Sequence, residues 1–220
     1  MRFLSRRDGA LLAGLLILSA VPVLGGMLRM VELLGGAALA PPNPRALAQP
    51  LPVILHVLGS AAFCLLGAVQ ILPSLRQSRP GLHRVLGRIA VLGGSVSAGS
   101  GLWMTVAFSF PEELQGGILF ALRILLSLWM LWLILRAVVA IRRRDIARHW
   151  AAMLRAVAIG QGAGTQTILG LGALLVTGQE LLGFERDLMM GSAWALNLAI
   201  AEWVIRKVSD APTSKVMRHV

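Results

Sequence analysis

The sequence predicts an all-α fold, a single bundle of about six helices that cross a membrane. Of its 220 residues, 56% are hydrophobic and only 14% are charged, and the mean hydropathy is +0.75. This balance is typical of membrane-spanning chains and leaves too few polar residues to cover a water-soluble surface. Two further observations lead to the same fold class: the number of long apolar runs, and the distribution of basic residues between them.

Six runs are long enough to cross a hydrocarbon core of about 30 Å, which takes about 20 residues of helix. Each run should be helical, because an open sheet in lipid would leave backbone groups without hydrogen-bond partners. The runs lie at roughly 10–28, 51–73, 86–108, 117–139, 151–177 and 187–205. The fifth run is polar on one side, through Gln161, Thr165, Gln166 and Thr167.

The first run is predicted to remain in the protein as a membrane helix. A secretory signal core has about 7–15 apolar residues, and this run is longer. The small-residue site Ala38-Leu39-Ala40 lies well beyond its end. The prolines of Pro41-Pro42-Asn43-Pro44 then rule out a continuing helix. The other loops are short, so we expect one integral membrane domain over 1–220 that ends in a short tail at 206–220.

The basic residues predict the orientation of the bundle. The 21 lysines and arginines give a net charge of +11, and most fall on one side of a six-span arrangement. They precede the first run, follow the second at 76–88, follow the fourth at 136–155, and close the chain from 206. The positive-inside rule then predicts a multi-pass protein of the inner (plasma) membrane with both termini in the cytoplasm. We expect contacts with membrane lipid and no nucleic-acid binding, because no soluble basic domain is present.

Small residues indicate where helices approach each other. Gly93, Ser97 and Gly101 recur every four residues on the third span, as do Gly160 and Gly164 on the fifth. Such rows let helix backbones come close together in lipid. These rows predict helix packing and do not indicate a catalytic or binding function.

A polar stripe marks one face of the second span. His56, Ser60, Phe63, Gly67 and Gln70 follow a 4-3-4-3 spacing, which places them on one side of a helix that should face the bundle interior. His56 and Gln70 are about 21 Å apart along the axis, so each should lie near a different membrane face. His56 either fixes helix packing through a hydrogen bond or contacts a cofactor or substrate.

Two more histidines, His83 and His149, are expected at the cytoplasmic interface. Glu202 should lie at a similar depth and pair with an arginine, either Arg155 or Arg88. We therefore predict an interhelical polar and histidine site at this side, with no activity assigned. Its remaining polar and charged members are Gln70, Arg76, Arg84 and Asn197.

Two alternatives remain open for this site. Histidines on different helices at matched depth can ligate one haem iron from both faces, so the protein could be a small b-type haem subunit with His83 and His149 as axial ligands. It would then pass electrons between quinone and a partner subunit. Otherwise it is a structural or accessory subunit whose basic face binds a partner or anionic lipid. His56 lacks a histidine partner, and no metal site beyond the haem iron is expected.

Other chemistry is not indicated. The sequence has no glycine-rich phosphate loop, no Cys–His cluster and no serine nucleophile motif. Cys64 is the only cysteine, so no intrachain disulfide can form. No general acid, base or nucleophile is identifiable, and we do not expect an enzyme.

Four segments carry a recognisable spacing: His56 with Gly67 and Gln70-x-x-Pro73-x-x-Arg76, His83-Arg84-x-x-Gly87-Arg88, Asp145-x-x-x-His149-x-x-x-Met153-x-Arg155, and Asn197-x-x-x-x-Glu202-Trp203. In these segments, over about 50–205, the chain resembles the bacterial family of predicted membrane proteins known as domain of unknown function 2306. The resemblance implies a multi-pass membrane protein and strengthens the three histidines as site candidates. It implies no activity, and a relation to b-type cytochrome bundles would be fold-level analogy.

The predicted orientation can be tested with a single cysteine. In a Cys64→Ser background, Ser78→Cys should resist an impermeant maleimide in intact cells and react after permeabilisation, because residue 78 follows the second span on the cytoplasmic side. Labelling of intact cells at this position would contradict the orientation.

Overall fold

A computed structural model describes residues 6–210, and within this range the chain is helical with no strand. The helices are α1 (Arg6–Leu33), α2 (Pro44–Ala48), α3 (Pro50–Gln70), α4 (Pro73–Ser78), α5 (Pro80–Ala107), α6 (Gly117–Arg142), α7 (Ile146–Gly160), α8 (Gly162–Thr177) and α9 (Gly183–Ser209). Predictions that concern Arg2, Lys215, Arg218 and the rest of the tail beyond residue 210 lie outside the described residues.

Six segments are long and apolar enough to cross a membrane, which confirms the predicted fold class. They are α1, α3, α5, α6, the pair α7–α8, and α9. The third begins at Pro80 rather than 86, and the last at Gly183 rather than 187. Proline at the first helical position starts α3, α4 and α5, because its missing N–H would be unpaired there in any residue. Helix ends follow such local signals, whereas an apolar window does not detect them.

Close backbone packing joins α3 to α5. A Cβ on Gly59 would stand 2.7 Å from the carbonyl oxygen of Gly93 and 2.8 Å from the backbone nitrogen of Ser97. Gly93 in turn has the Gly59 carbonyl and the Ala62 side chain at 2.9 Å from the position of its own missing Cβ. Only glycine leaves room for these two backbones to touch, as the row on the third span predicts.

The ring of Phe63 fills the centre of the bundle. It is 1% exposed and lies against two glycines, Gly94 on α5 and Gly160 on α7, at each of which a Cβ would meet the ring within 3 Å. Around it pack Ala98, Met130, Ile134, Ala156 and Val157. One aromatic side chain from α3 therefore sets the spacing of α5 and α7 on either side.

The fifth span consists of two helices separated by Gln161. Beyond this residue α8 lies against α1, where Gly164 leaves no room for a Cβ next to the carbonyl oxygen of Leu18. That carbonyl lacks its usual helical donor, because the residue four positions later is Pro22, which has no N–H. Pro22 leaves the Leu18 carbonyl without its helical donor, and Gly164 has no side chain to keep this carbonyl away. The backbones of α1 and α8 therefore come into close contact here.

The two ends of the bundle differ in charge. The basic end contains the turns at 71–79 and 143–145 and the end of α9, and the opposite end contains 34–49, 108–116 and 178–182. At the opposite end the buried carboxylate of Asp187 accepts hydrogen bonds from the backbone nitrogens of Gly116 (3.1 Å) and Leu119 (3.0 Å), and so caps the start of α6. Which end faces the cytoplasm stays a prediction.

Substitution of Gly59 by alanine should lower the free energy of unfolding by about 1–3 kcal/mol, because the new methyl group would force α3 and α5 apart. Gly99→Ala is the matched control on α5, since nothing lies within 4 Å of its Cβ position; it should be neutral or stabilise by up to about 1 kcal/mol. Unfolding titrations in detergent measure both. Equal stability of the two variants would contradict the packing described.

Candidate functional site

A cavity of about 460 Å³ lies inside the bundle, and every span contributes to its wall. Its volume falls within the range of about 300–1,000 Å³ that small-molecule sites occupy. The wall contains one histidine and one arginine, His56 on α3 and Arg123 on α6. The sequence predicted an inward His56; it did not predict a cavity there.

His56 is held by the neighbouring helix. Its Nδ1 lies 2.9 Å from the carbonyl oxygen of Ser97, and because a carbonyl can only accept, Nδ1 must carry the proton. The Nε2 atom of the neutral ring is then left as an acceptor. The ring packs against Gly101, with Cε1 at 3.3 Å from the position of its missing Cβ, and Ser60 bonds the Ser97 hydroxyl at 2.7 Å.

Arg123 brings a cation to the same cavity. Its guanidinium donates to the side chain of Gln115 and lies 5.3 Å from the centre of the Phe110 ring. Arg123 and His56 both line this cavity. Asp187 caps α6, and Arg123 forms no ion pair with a carboxylate among residues 9–210. A half-buried cation without a paired carboxylate is a strong donor for a ligand oxygen.

The wall near the break in the fifth span is polar but satisfied. Gln161 Nε2 donates to Ser19 Oγ at 3.0 Å, and that hydroxyl lies 2.8 Å from the Leu15 carbonyl. The indole of Trp194 donates to the Ile159 carbonyl at 3.2 Å.

Asn197 lies near the same break and forms hydrogen bonds to both halves of the fifth span. Its amide nitrogen donates to the carbonyl of Ala158 (3.2 Å), and its oxygen accepts from the hydroxyl of Thr165 (2.8 Å). The structure therefore places Asn197 with the two halves of the fifth span, and not with the arginines that the sequence grouped it with.

The basic end brings several predicted residues together. Gln70 Nε2 donates to the backbone oxygen of His83 at 3.1 Å. His149 Nδ1 donates to the carbonyl of Ala137 at 3.0 Å, whereas the buried Nδ1 of His83 has no hydrogen-bond partner within residues 6–210.

Arginines at this end have different surroundings. Arg155 and Glu202 form a two-pronged ion pair, with Nη2 at 2.8 Å from Oε2. Arg84 is exposed and donates to the carbonyl of Pro80 at 3.3 Å, and Arg88 is exposed as well. Arg76, in the turn, is half-buried, and this burial lowers its pKa. Of the predicted partners of Glu202, the structure selects Arg155.

No group of three or more histidine, cysteine, aspartate or glutamate residues within the described part of the chain is arranged to hold a metal ion. A site for iron at the basic end would have to rest on His83 and His149 alone.

Sequence reasoning missed Arg123, Trp194 and Ser19 as members of a site. For Arg123 a signal was present, since an arginine seven residues into an apolar run is a functional candidate by default. In the sequence, its charge bears on the orientation of the bundle as well, and only that use was made of it. Trp194 and Ser19 gave no signal of this kind, because small polar and aromatic residues are common in membrane helices.

The family model described as "Predicted membrane protein (DUF2306)" matches residues 53–205. The chain belongs to this family. The match contains His56, Arg123, both histidines of the basic end and the Arg155–Glu202 pair, and it confirms the resemblance found in the sequence. It leaves out α1, although Ser19 and Pro22 of this helix line the cavity. Neither the curated proteins nor the solved structures contain a match to the DUF2306 chain.

Proposed function

We propose that this DUF2306 protein is an intramembrane binding protein of the inner (plasma) membrane, whose cavity takes a small lipid-soluble carbonyl compound of the quinone class. The observation that carries the proposal is the pairing of His56 and Arg123 in one cavity that is otherwise formed largely by apolar and small side chains.

The polar groups match the head of such a ligand. The unpaired cation of Arg123 offers donors to a carbonyl oxygen, and His56 offers Nε2 as an acceptor to a hydroxyl. A quinone presents the first group and its reduced form the second. The cavity volume of about 460 Å³ suits one ring and part of an apolar chain.

The position of the cavity supports a ligand that enters from the lipid bilayer. The cavity lies between membrane spans, and its wall includes α1, whose outer side chains Ile17, Val21 and Leu24 are well exposed. A molecule that partitions into the bilayer reaches such a site without crossing a water layer. The apolar part of the ligand then contributes through burial at about 25 cal/mol per Å².

Binding can be measured with a short-chain benzoquinone and the fluorescence of the protein in detergent. Trp194 lines the cavity, so a bound quinone should quench it in a saturable way, and Trp194→Phe should remove most of that signal. Arg123→Gln should raise Kd roughly tenfold or more, because a charged hydrogen bond contributes about 1.5–3 kcal/mol. His56→Ala should raise it less, by roughly fivefold, for loss of a neutral bond of about 1 kcal/mol.

The controls remove similar groups outside the cavity. Arg84→Gln, at an exposed position of the basic end, and His83→Ala should leave Kd unchanged, and Trp103→Phe, also at an exposed position, should leave the saturable quenching intact. An unaltered Kd in Arg123→Gln, or an equal loss in Arg84→Gln, would reject the proposal.

A second candidate function is haem binding at the basic end. It is favoured by the fixed Nδ1–H of His149, which leaves the Nε2 atom of this residue available to coordinate, and by the Nδ1 atom of His83, which has no hydrogen-bond partner among residues 9–210. A haem held by these two residues would supply one-electron transfer.

A reduced-minus-oxidised visible spectrum of the purified protein tests this second candidate. If it is correct, a b-type band appears, His83→Ala and His149→Ala abolish it, and His56→Ala retains it because that residue lies in the separate cavity. A preparation expressed with ample haem that shows no band, or a band lost only in His56→Ala, would reject it.

A further inference from the structure

A second concave surface lies on the outside of the bundle, between α6 and α7 at the basic end, and encloses about 630 Å³. Neither candidate function uses it. Its wall is formed by two helical stripes. The first stripe contains Trp129, Trp132, Arg136 and Val139 on α6 and Arg143 directly after it, and the second contains Arg148, Ala151 and Arg155 on α7. We call this surface the α6–α7 groove.

The α6–α7 groove has an excess of positive charge. Four arginines line it against one carboxylate, that of Asp145. Asp145 caps α7 by accepting from the backbone nitrogen of Arg148 (3.0 Å) and pairs with the side chain of the same residue (3.3 Å). Arg155 is paired with Glu202. Arg136 and Arg143 therefore have no carboxylate partner among residues 9–210.

The types of side chain that line the groove also change along its length. Trp129 and Arg143 are 14 residues apart, so they are separated by about 21 Å along the axis of α6. Arg143 and Arg148 lie next to the turn at 143–145, Arg136 lies about 10 Å further along α6, and the two tryptophans lie deeper along this helix. Trp132 and Arg136 connect these halves, since the guanidinium lies 4.6 Å from the centre of the indole ring.

We propose that the α6–α7 groove binds an anionic phospholipid, with the phosphate at Arg136 and Arg143 and the upper acyl chain along Trp129 and Trp132. The charge complementarity selects an anionic head group. The deep apolar half selects a lipid over a soluble anion, because a free phosphate would use only the arginines. Both tryptophans are exposed, at 38% and 48%, which leaves them free to contact a chain in the bilayer.

Brominated lipids test this assignment directly, because bromine on an acyl chain quenches a tryptophan that it touches. In detergent micelles, dibromo-phosphatidylglycerol should quench the wild-type protein at a concentration at least about tenfold lower than dibromo-phosphatidylcholine. In Trp129→Phe/Trp132→Phe this difference should vanish.

Paired charge variants separate the groove from general attraction to a basic surface. Arg136→Gln/Arg143→Gln should weaken the preference for phosphatidylglycerol roughly tenfold. Arg142→Gln/Arg144→Gln removes the same charge from exposed neighbours that do not line the groove, and it should keep the preference. Each variant's unfolding midpoint in detergent is recorded alongside.

Three results would overturn the proposal. The first is equal quenching by the two lipids in the wild type. The second is an equal loss in the groove and control pairs, which would show attraction to net charge alone. The third is full relief of quenching by inorganic phosphate or glycerol 3-phosphate at the same concentration as the lipid, which would identify a site for a soluble anion. Should the groove pair fail to fold, the wild-type lipid comparison and the tryptophan pair still decide the question.

Discussion

The arrangement of this bundle depends on the contact between the backbones of α3 and α5 at Gly59 and Gly93. In lipid, burial of apolar surface does not drive helices together, so close packing and interhelical hydrogen bonds must do so. Where the backbones touch, His56 comes within reach of the Ser97 carbonyl and Ser60 within reach of the Ser97 hydroxyl. The same approach places Phe63 where only glycines can flank it. The contacts of His56 and Ser60 with Ser97 in the cavity wall therefore follow from the close approach of α3 and α5 at these two glycines.

Interior polar groups in this protein are mostly satisfied by a neighbouring helix. Gln161 bonds Ser19, and Asn197 bonds both halves of the fifth span, as the low dielectric of the interior requires. Arg123 is different, because its nearby carboxylate, Asp187, is used to cap α6. The chemistry available to a ligand is thus found where the network of internal partners is incomplete, at Arg123 and at the acceptor nitrogen of His56.

Hydropathy predicts the number of spans well because the membrane imposes one requirement, length of apolar helix, that can be read along the chain. The inward face of α3 was predictable for a similar reason, from the spacing of His56 and Gln70. The matched depth of His83 and His149 stays a prediction from their distances to the span ends. The rotation of each helix about its own axis could not be predicted from the sequence, because packing against neighbouring helices sets it. Arg84 and Arg88 point outwards while Arg155 meets Glu202, and nothing in the local sequence separates these cases. The cavity could not be predicted, because it depends on side chains from every span.

The position of α1 has a consequence for how binding specificity can change over time. The family segment begins at residue 53, so the part of the chain shared by the family supplies His56 and Arg123, while a helix outside that part closes the cavity with Ser19 and Pro22. This helix contacts α8 at the Leu18 carbonyl and Gly164, and it contacts α3 where Gly26 meets Val57. Substitutions along one face of α1 can therefore reshape the apolar wall and leave the polar groups in place. For the proposed ligand, the family segment would supply the groups that contact its head, and α1 would supply part of the wall around its tail.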